Sequence, residues 1–294
     1  MRNDIEENMA NLKEIRNRIT SIGSTMQITS AMKMVSAAKL KKAQDAIVAM
    51  RPYSNKLTEL LNNLSATLDG ESGGSYAVQR EVNTVLLVVI TSNRGLCGAF
   101  NSSVTKKAID TIKTTYKGKQ VDVFAIGKKG NDLLSKENTV IANRSDLYEE
   151  LTFNNVAEVA EELMQLFAEG AYDKIEIVYN RFKNAATQIT TLEQFLPIVP
   201  ADTDANVNLD YIFEPSKEEI VLGLIPKSLK TQLYKSIRDS FASEHGARMT
   251  AMHKATDNAT DLRDDLLLKY NKARQAAITN EILEIVGGAE ALNN

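Results

Sequence analysis

The chain has 294 residues, 43% of them hydrophobic and 25% charged, the balance of a soluble globular protein with room for one large domain or two modest ones. A net charge of −3 argues against a general nucleic-acid binder. No apolar run approaches the roughly 18 residues of a membrane span, and the charged opening MRNDIEENMANLKEIRNRI does not read as a secretory leader.

Cys97 is the only cysteine, which excludes an internal disulfide and a cysteine-built metal site and suits a reducing compartment. Tryptophan is absent, so extended helix is expected to outweigh deep core.

Proline falls only at Pro52, Pro197, Pro200, Pro215 and Pro226, leaving 1–51 and 227–294 free for uninterrupted helices. In the first stretch Ile5, Leu12, Ile19 and Met26 recur every seven residues, with Ile15 and Ile22 at the complementary offset, which is a coiled-coil seam. Met32, Val35 and Ala38 are expected to carry an apolar face on toward Pro52, giving a rod of roughly 80 Å. The basic stretch KLKKAQDAIVAMRPY at 39–53 lacks the aromatic interleaving of a nucleic-acid site and reads as solvated.

DGESGGS at 69–75 has linker composition. After it, strands are predicted at 82–90, 120–126, 138–142, 174–180 and 188–196, and helices at 99–116, 128–136 and 154–169. This alternation predicts a parallel, doubly wound sheet.

The polar stretch VPADTDANVNLD at 199–210 leads to a second rod. Ser216 is its expected N-cap, with Glu219 three residues on, and GG at 287–288 its expected stop. Between them Leu222, Ile225, Leu229, Leu233, Ile237, Phe241, Met249, Met252, Leu262, Leu266, Tyr270, Ala273 and Ala277 are expected to form the buried face of a helix of about 70 residues, with a kink at Pro226. The fold class is therefore α/β with long helices: an antiparallel two-helix coiled coil from residues 1–68 and 206–294, with a Rossmann-like α/β domain inserted at 76–205.

Chemistry is thinly signalled. TSNRGLCGAF at 91–100 follows the first strand with Gly95 and Gly98 at G-x-x-G spacing, and GKKGND at 127–132 repeats that half-pattern. Neither completes a dinucleotide or phosphate loop, and both read as tight strand-to-helix turns. Cys97 reads as a small, partly buried residue rather than a reactive thiol. His245 and His253, eight apart, do not form a helical metal pair and are expected on the surface or at an interface. Asp257, Asp261, Asp264 and Asp265 share a helical face and read as a solvated or partner-facing stripe rather than a cation site. No catalytic group, cofactor or metal is expected. A coiled-coil adaptor with an α/β head, and a nucleotide-dependent enzyme using the crevice at Gly95–Gly98, stay open at this level.

IRNRITSIGSTMQITSAMKMVSAAKLKKAQ at 15–44, TSNRGLCGAFN at 91–101, ASEHGARMTAMHKATDNATDL at 242–262 and YNKARQAAITNEILEIVGGAEAL at 270–292 resemble, in order, blocks of the gamma-subunit family of F-type ATP synthases. The resemblance spans nearly the whole chain. It implies a rotor shaft whose partners are the alpha and beta subunits of the catalytic head, the epsilon subunit and the c-ring, with an α/β insert that lacks a nucleotide site. It further implies a peripheral place on the cytoplasmic side of the cell membrane.

Carried over by motif, Met32 and Lys33 match a contact with the beta-subunit lever. Arg274, Gln275 and Thr279 match contacts with the inner loops of the ring, and Tyr211 and Glu214 the foot that meets the c-ring and epsilon. The cysteine pair of redox-regulated chloroplast members is missing, and His245 and His253 stand where the family commonly has other residue types.

Overall fold

The computed structural model describes residues 2–65, 74–198 and 217–292. In chain order these form α1 (Arg2–Ser65), β1 (Thr84–Ile90), α2 (Phe100–Thr114), β2 (Gln120–Ile126), α3 (Lys128–Leu134), β3 (Val140–Asn143), α4 (Phe153–Ala168), β4 (Lys174–Phe182), β5 (Gln188–Leu196) and α5 (Lys217–Leu292). Short 3₁₀ turns occupy Gly74–Tyr76 and Ser145–Tyr148. The chain divides into two compact units, one of residues 1–35 with 249–294 and one of residues 36–248.

The first unit pairs α1 and α5 antiparallel. Going up α1, Met26, Thr29 and Lys33 meet residues going down α5. Thr260 Oγ1 lies 3.3 Å from Met26 Sδ, Thr256 Oγ1 2.8 Å from Thr29 Oγ1, and His253 Nδ1 3.4 Å from Lys33 Nζ. The seven-residue spacing explains why this stretch is helical and paired. Leu12, Ile15, Ile19, Ile22 and Met26 are each half-buried, and Thr29 continues the phase as a buried residue. On α5 the seam passes through Leu266, Tyr270, Ala273 and Ala277, as the apolar spacing predicts.

Several expected seam residues lie elsewhere. Val35 is 57% exposed and Leu262 51% exposed, and Ala38 is also exposed. The heptad phase runs through hydroxyl-bearing Thr29 and, in the second unit, Ser36, so an apolar count drifts off it.

In the second unit the sheet order is β3-β2-β1-β4-β5. β1 pairs in parallel with β2 and β4, and β2 with β3. β5 runs antiparallel to β4, which corrects the expectation of a wholly parallel sheet. Only residues 183–187 join the two strands, too few for a crossover. The link is instead a hairpin in which Asn184 Oδ1 accepts hydrogen bonds from the amides of Ala186 and Thr187.

The unbroken apolar run TVLLVVI forms β1, and six of its seven residues are buried because both sheet faces are covered. Leu86, Val88, Ile90, Phe124 and Ile177 face α4 (Val156, Val159, Leu163, Phe167) and the α5 stretch Ile225–Ile237. Val85, Leu87, Val89 and Val123 face Val104 and Ala108 of α2.

Helix boundaries differ from expectation at two points. α1 runs through Pro52 to Ser65. Burial of Ile47, Ser54 and Leu57 around the proline offsets the about 3 kcal/mol that an interior proline costs. α5 contains Pro226 as expected, with Ile225 and Leu229 buried beside it, but runs past the expected stop at Gly287 and Gly288 to Leu292. Glycine permits a left-handed stop without imposing one. The expected cap Ser216 lies outside the described residues.

Candidate functional site

The two glycine turns sit where an open α/β sheet ordinarily holds a ligand, beyond the carboxyl ends of β1 and β2. At the start of α3 the amides that would face a phosphate are occupied from within the chain. Lys128 N donates to Asn93 Oδ1 at 3.0 Å, Lys129 N to Ser92 O at 3.0 Å, and Gly130 N to Thr91 Oγ1 at 2.7 Å. Gly127 has φ +110°, and a side chain there would place its Cβ 2.2 Å from Thr91 O. The glycines therefore serve close packing of α3 on the end of β1.

The preceding turn is closed in the same way. Asn101 Oδ1 accepts from Ser92 N at 3.0 Å, and Asn101 Nδ2 donates to Ser92 Oγ at 2.8 Å and to Cys97 Sγ at 3.2 Å. Cys97 is 2% exposed, and burial raises its thiol pKa against the opposing pull of Ser92 and Arg248, the reverse of an activated nucleophile.

α5 covers this end of the sheet. His245, expected on the surface or at an interface, is buried where α5 packs on the sheet end, its ring edge-on to Phe241 with centroids 4.4 Å apart. Burial, then the charges of Arg248 and Lys39, lower its pKa to about 3, so the ring is neutral. Arg248 Nη1 donates to Glu244 Oε1 at 2.6 Å and lies 3.4 Å from His245 Nδ1. Its Nη2 donates to the carbonyls of Arg94 at 3.0 Å and Gly95 at 3.2 Å. Sequence reasoning missed this cluster. The EHGAR spacing displays the i, i+4 ion pair, but nothing local reveals that carbonyls some 150 residues earlier complete it.

A cavity of about 660 Å³ elsewhere in this unit is lined by Ile47, Met50, Phe182 and Ile189 among others, with Arg181, Lys183, Lys235 and Asp239. It gathers no histidine, thiol or carboxylate pair. Among the described residues no group of three or more metal-ligating side chains converges.

The acidic stripe is exposed, and three of its members pair along their own helix: Asp257 with His253, Asp264 with Arg263 and Asp265 with Lys269. Exposed pairs of this kind contribute little and gather no cation cage.

The carried-over contact residues divide into two groups in the first unit. Met32 and Lys33 are half-buried at the helix pair, with Lys33 beside His253. Arg274, Gln275 and Thr279 are exposed on α5, and the Thr279 hydroxyl donates to its own helix at Gln275 O, 2.9 Å. Around and beyond them Ile278, Ile282, Leu283, Ile285 and Val286 are also exposed, at 48–65%. Tyr211 and Glu214 lie outside the described residues.

Residues 11–292 match a family described as ATP synthase. The ATP synthase gamma chain of Flavobacterium psychrophilum is 74% identical over 97% of this chain and 99% of its own length, and that of Christiangramia forsetii 66% identical over 97% and 100%. The chain belongs to the ATP synthase gamma chain family. It is thereby a subunit of that complex. At a greater distance, the gamma chain of Geobacter sp. (strain M21) is 45% identical over 97% of this chain and 99% of its own.

Solved structures share the fold. A rotor chain of the Euglena gracilis mitochondrial ATP synthase superposes with TM-score 0.67 at 22% identity, covering 92% of this chain and 99% of that one. A central-stalk chain from Tetrahymena thermophila gives 0.58 at 24% identity, covering 78% and 99%. No described helix is long and apolar enough to cross a membrane.

Proposed function

We propose that this chain is the central rotor shaft of an F-type ATP synthase. Ion-driven turning of the c-ring rotates it, and its asymmetry takes the catalytic beta subunits through successive conformations for ATP synthesis or hydrolysis. The observation that carries the reading is the antiparallel pairing of the chain's two end helices through Met26, Thr29 and Lys33, since two helices wound on one seam resist twisting as a single strand does not.

On this reading residues 1–68 and 206–294 supply the shaft and 76–205 the inserted α/β domain. Met32, Lys33, Arg274, Gln275 and Thr279 touch the alpha and beta subunits, and Tyr211 and Glu214 meet the c-ring and epsilon. The contact face supports a bearing. Gln275 and Thr279 are single hydrogen-bonding groups set among exposed Ile278 and Ile282, beside the exposed Arg274, and none of them is buried in a pocket of this chain.

The chain contributes no catalytic group of its own, a view supported by the occupied amides of α3 and the raised thiol pKa of Cys97. It works as a peripheral protein on the cytoplasmic side of the cell membrane. The test is co-expression of a tagged chain with the remaining subunits. It should purify with alpha and beta, and removal of the last twenty or so residues should lower ATP-driven ion transport severalfold. Failure to associate with alpha and beta overturns the shaft reading, and full coupling in the truncation overturns the roles of Gln275 and Thr279.

A further inference from the structure

Between Ala242 and Arg248, α5 is buried on almost every side, five successive residues from Ala242 to Gly246 being enclosed. At this level the helix grips the carboxyl ends of the sheet by three kinds of contact. Ser243 Oγ donates to Asn180 O of β4 at 2.9 Å. Gly246 lets the helix approach the β4–β5 hairpin so closely that a Cβ would stand 3.1 Å from Ala185 O. Arg248, 7% exposed, directs its fork at the turn after β1, with Nε 3.4 Å and Nη2 3.2 Å from Gly95 O, Nη2 3.0 Å from Arg94 O, and Nη1 on the buried carboxylate of Glu244.

The turn it holds needs holding. Leu96 adopts φ +60°, an uncommon conformation for a residue with a side chain, and Gly98 follows at +58°. Carbonyls of a turn accept hydrogen bonds but carry no charge, so a guanidinium with its own carboxylate can bind them without importing net charge into the interior.

We propose that Arg248 is a pin that locks the Arg94–Gly98 turn of the α/β domain to α5, so that load applied to the domain passes into the helix without slip. Arg248 is thus a positioning residue in the torque path. This rests on the rotor reading above. A lysine cannot replace it. One ammonium is a compact point charge, whereas here three nitrogens in a fixed plane serve one carboxylate and two carbonyls. Cys97, buried in the same turn, reports on the pin, because its thiol becomes reachable only when the turn lifts off.

The experiment uses the assembled enzyme in membrane vesicles, with wild type, Arg248→Ala and Arg248→Lys compared. Two quantities are read: the ATP-driven membrane potential at matched ATP hydrolysis, and the rate at which N-ethylmaleimide alkylates Cys97, followed by peptide mass spectrometry. The expected result is alkylation about tenfold faster and potential per ATP hydrolysed severalfold lower in Arg248→Ala, with Arg248→Lys between it and wild type. If either quantity in Arg248→Ala matches wild type, the pin is overturned. Should Arg248→Ala fail to assemble, Arg248→Lys decides alone, and wild-type values there overturn the proposal equally. Failure of the rotor reading looks different, because wild type itself would then not associate with alpha and beta, whereas Cys97 reactivity would still respond to Arg248.

Discussion

Lowering the pH should weaken the second unit through His245. Its imidazole is 4% exposed and neutral, wedged between Phe241 and Arg248, with Glu244, Lys39, Cys97 and the half-buried Tyr148 as ionisable neighbours of the cluster. Arg248 can only donate, so Nδ1 accepts and the proton sits on Nε2, which finds no partner among the described residues. The pKa is 6.5 in the unfolded chain and about 3 in the fold. Between those values only the unfolded chain takes up the proton, so stability is complete above the unfolded pKa and falls as the pH drops below it. The linkage relation puts the loss at about 2 kcal/mol between pH 7 and pH 5.

Glu244 shifts in the opposite direction, raised by burial against the pull of Arg248, so its own linkage runs with the opposite sign. A His245→Gln variant separates the two, since glutamine keeps an acceptor for Arg248 but does not titrate in this range. Urea unfolding of the purified chain followed by circular dichroism at both pH values gives the comparison. Wild type should lose about 2 kcal/mol more than the variant. Equal losses, within about 0.5 kcal/mol, would refute a buried neutral His245.

Gly127→Ala should cost about 3 kcal/mol or more, read as a fall in the urea midpoint, because the new Cβ meets Thr91 O at 2.2 Å from a backbone at φ +110°. Leu266→Ala should cost about 2 kcal/mol in the first unit, since Leu266 is the most buried of the seam residues Leu266, Tyr270, Ala273 and Ala277. The double variant Gln275→Ala with Thr279→Ala should leave unfolding within about 0.5 kcal/mol of wild type, both side chains being exposed. ATP-driven ion transport by the assembled enzyme should nonetheless fall severalfold, and unchanged transport would remove these two residues from the bearing.

The parts of the fold that could be read from sequence are those where one local pattern decides. The β-branched run of β1 and the heptad of Leu12, Ile19 and Met26 are such cases, because burial there follows directly from spacing. Readings failed where the deciding term was distant or polar. An apolar count puts Val35 on the seam and passes over Ser36, which is 2% exposed, because a buried hydroxyl carries no apolar signal. The antiparallel β5 was foreshadowed by the short 183–187 link, a constraint on connection rather than composition. His245, a polar residue on a long helix, reads equally as surface or interface, and its spacing alone does not choose between them. The small residues beside it, Ala242, Ser243 and Gly246, were the overlooked sign that other backbone comes close. The contact residues were accessible only through resemblance, because an exposed Gln275 differs from any other surface glutamine only in what it later meets.

The hydroxyl pair of Thr29 and Thr256 bears on how the two end helices keep their alignment. Sliding one helix along the other by a heptad would separate the two threonines and lose the hydrogen bond between them, at about 1 kcal/mol, while each hydroxyl keeps a carbonyl of its own helix, Met26 O at 3.1 Å and Met252 O at 2.8 Å. An all-leucine seam would accept such a shift far more readily, since one methyl-lined layer fits nearly as well as the next. A polar step among greasy ones therefore acts like the key in a keyway, favouring one axial position over its neighbours.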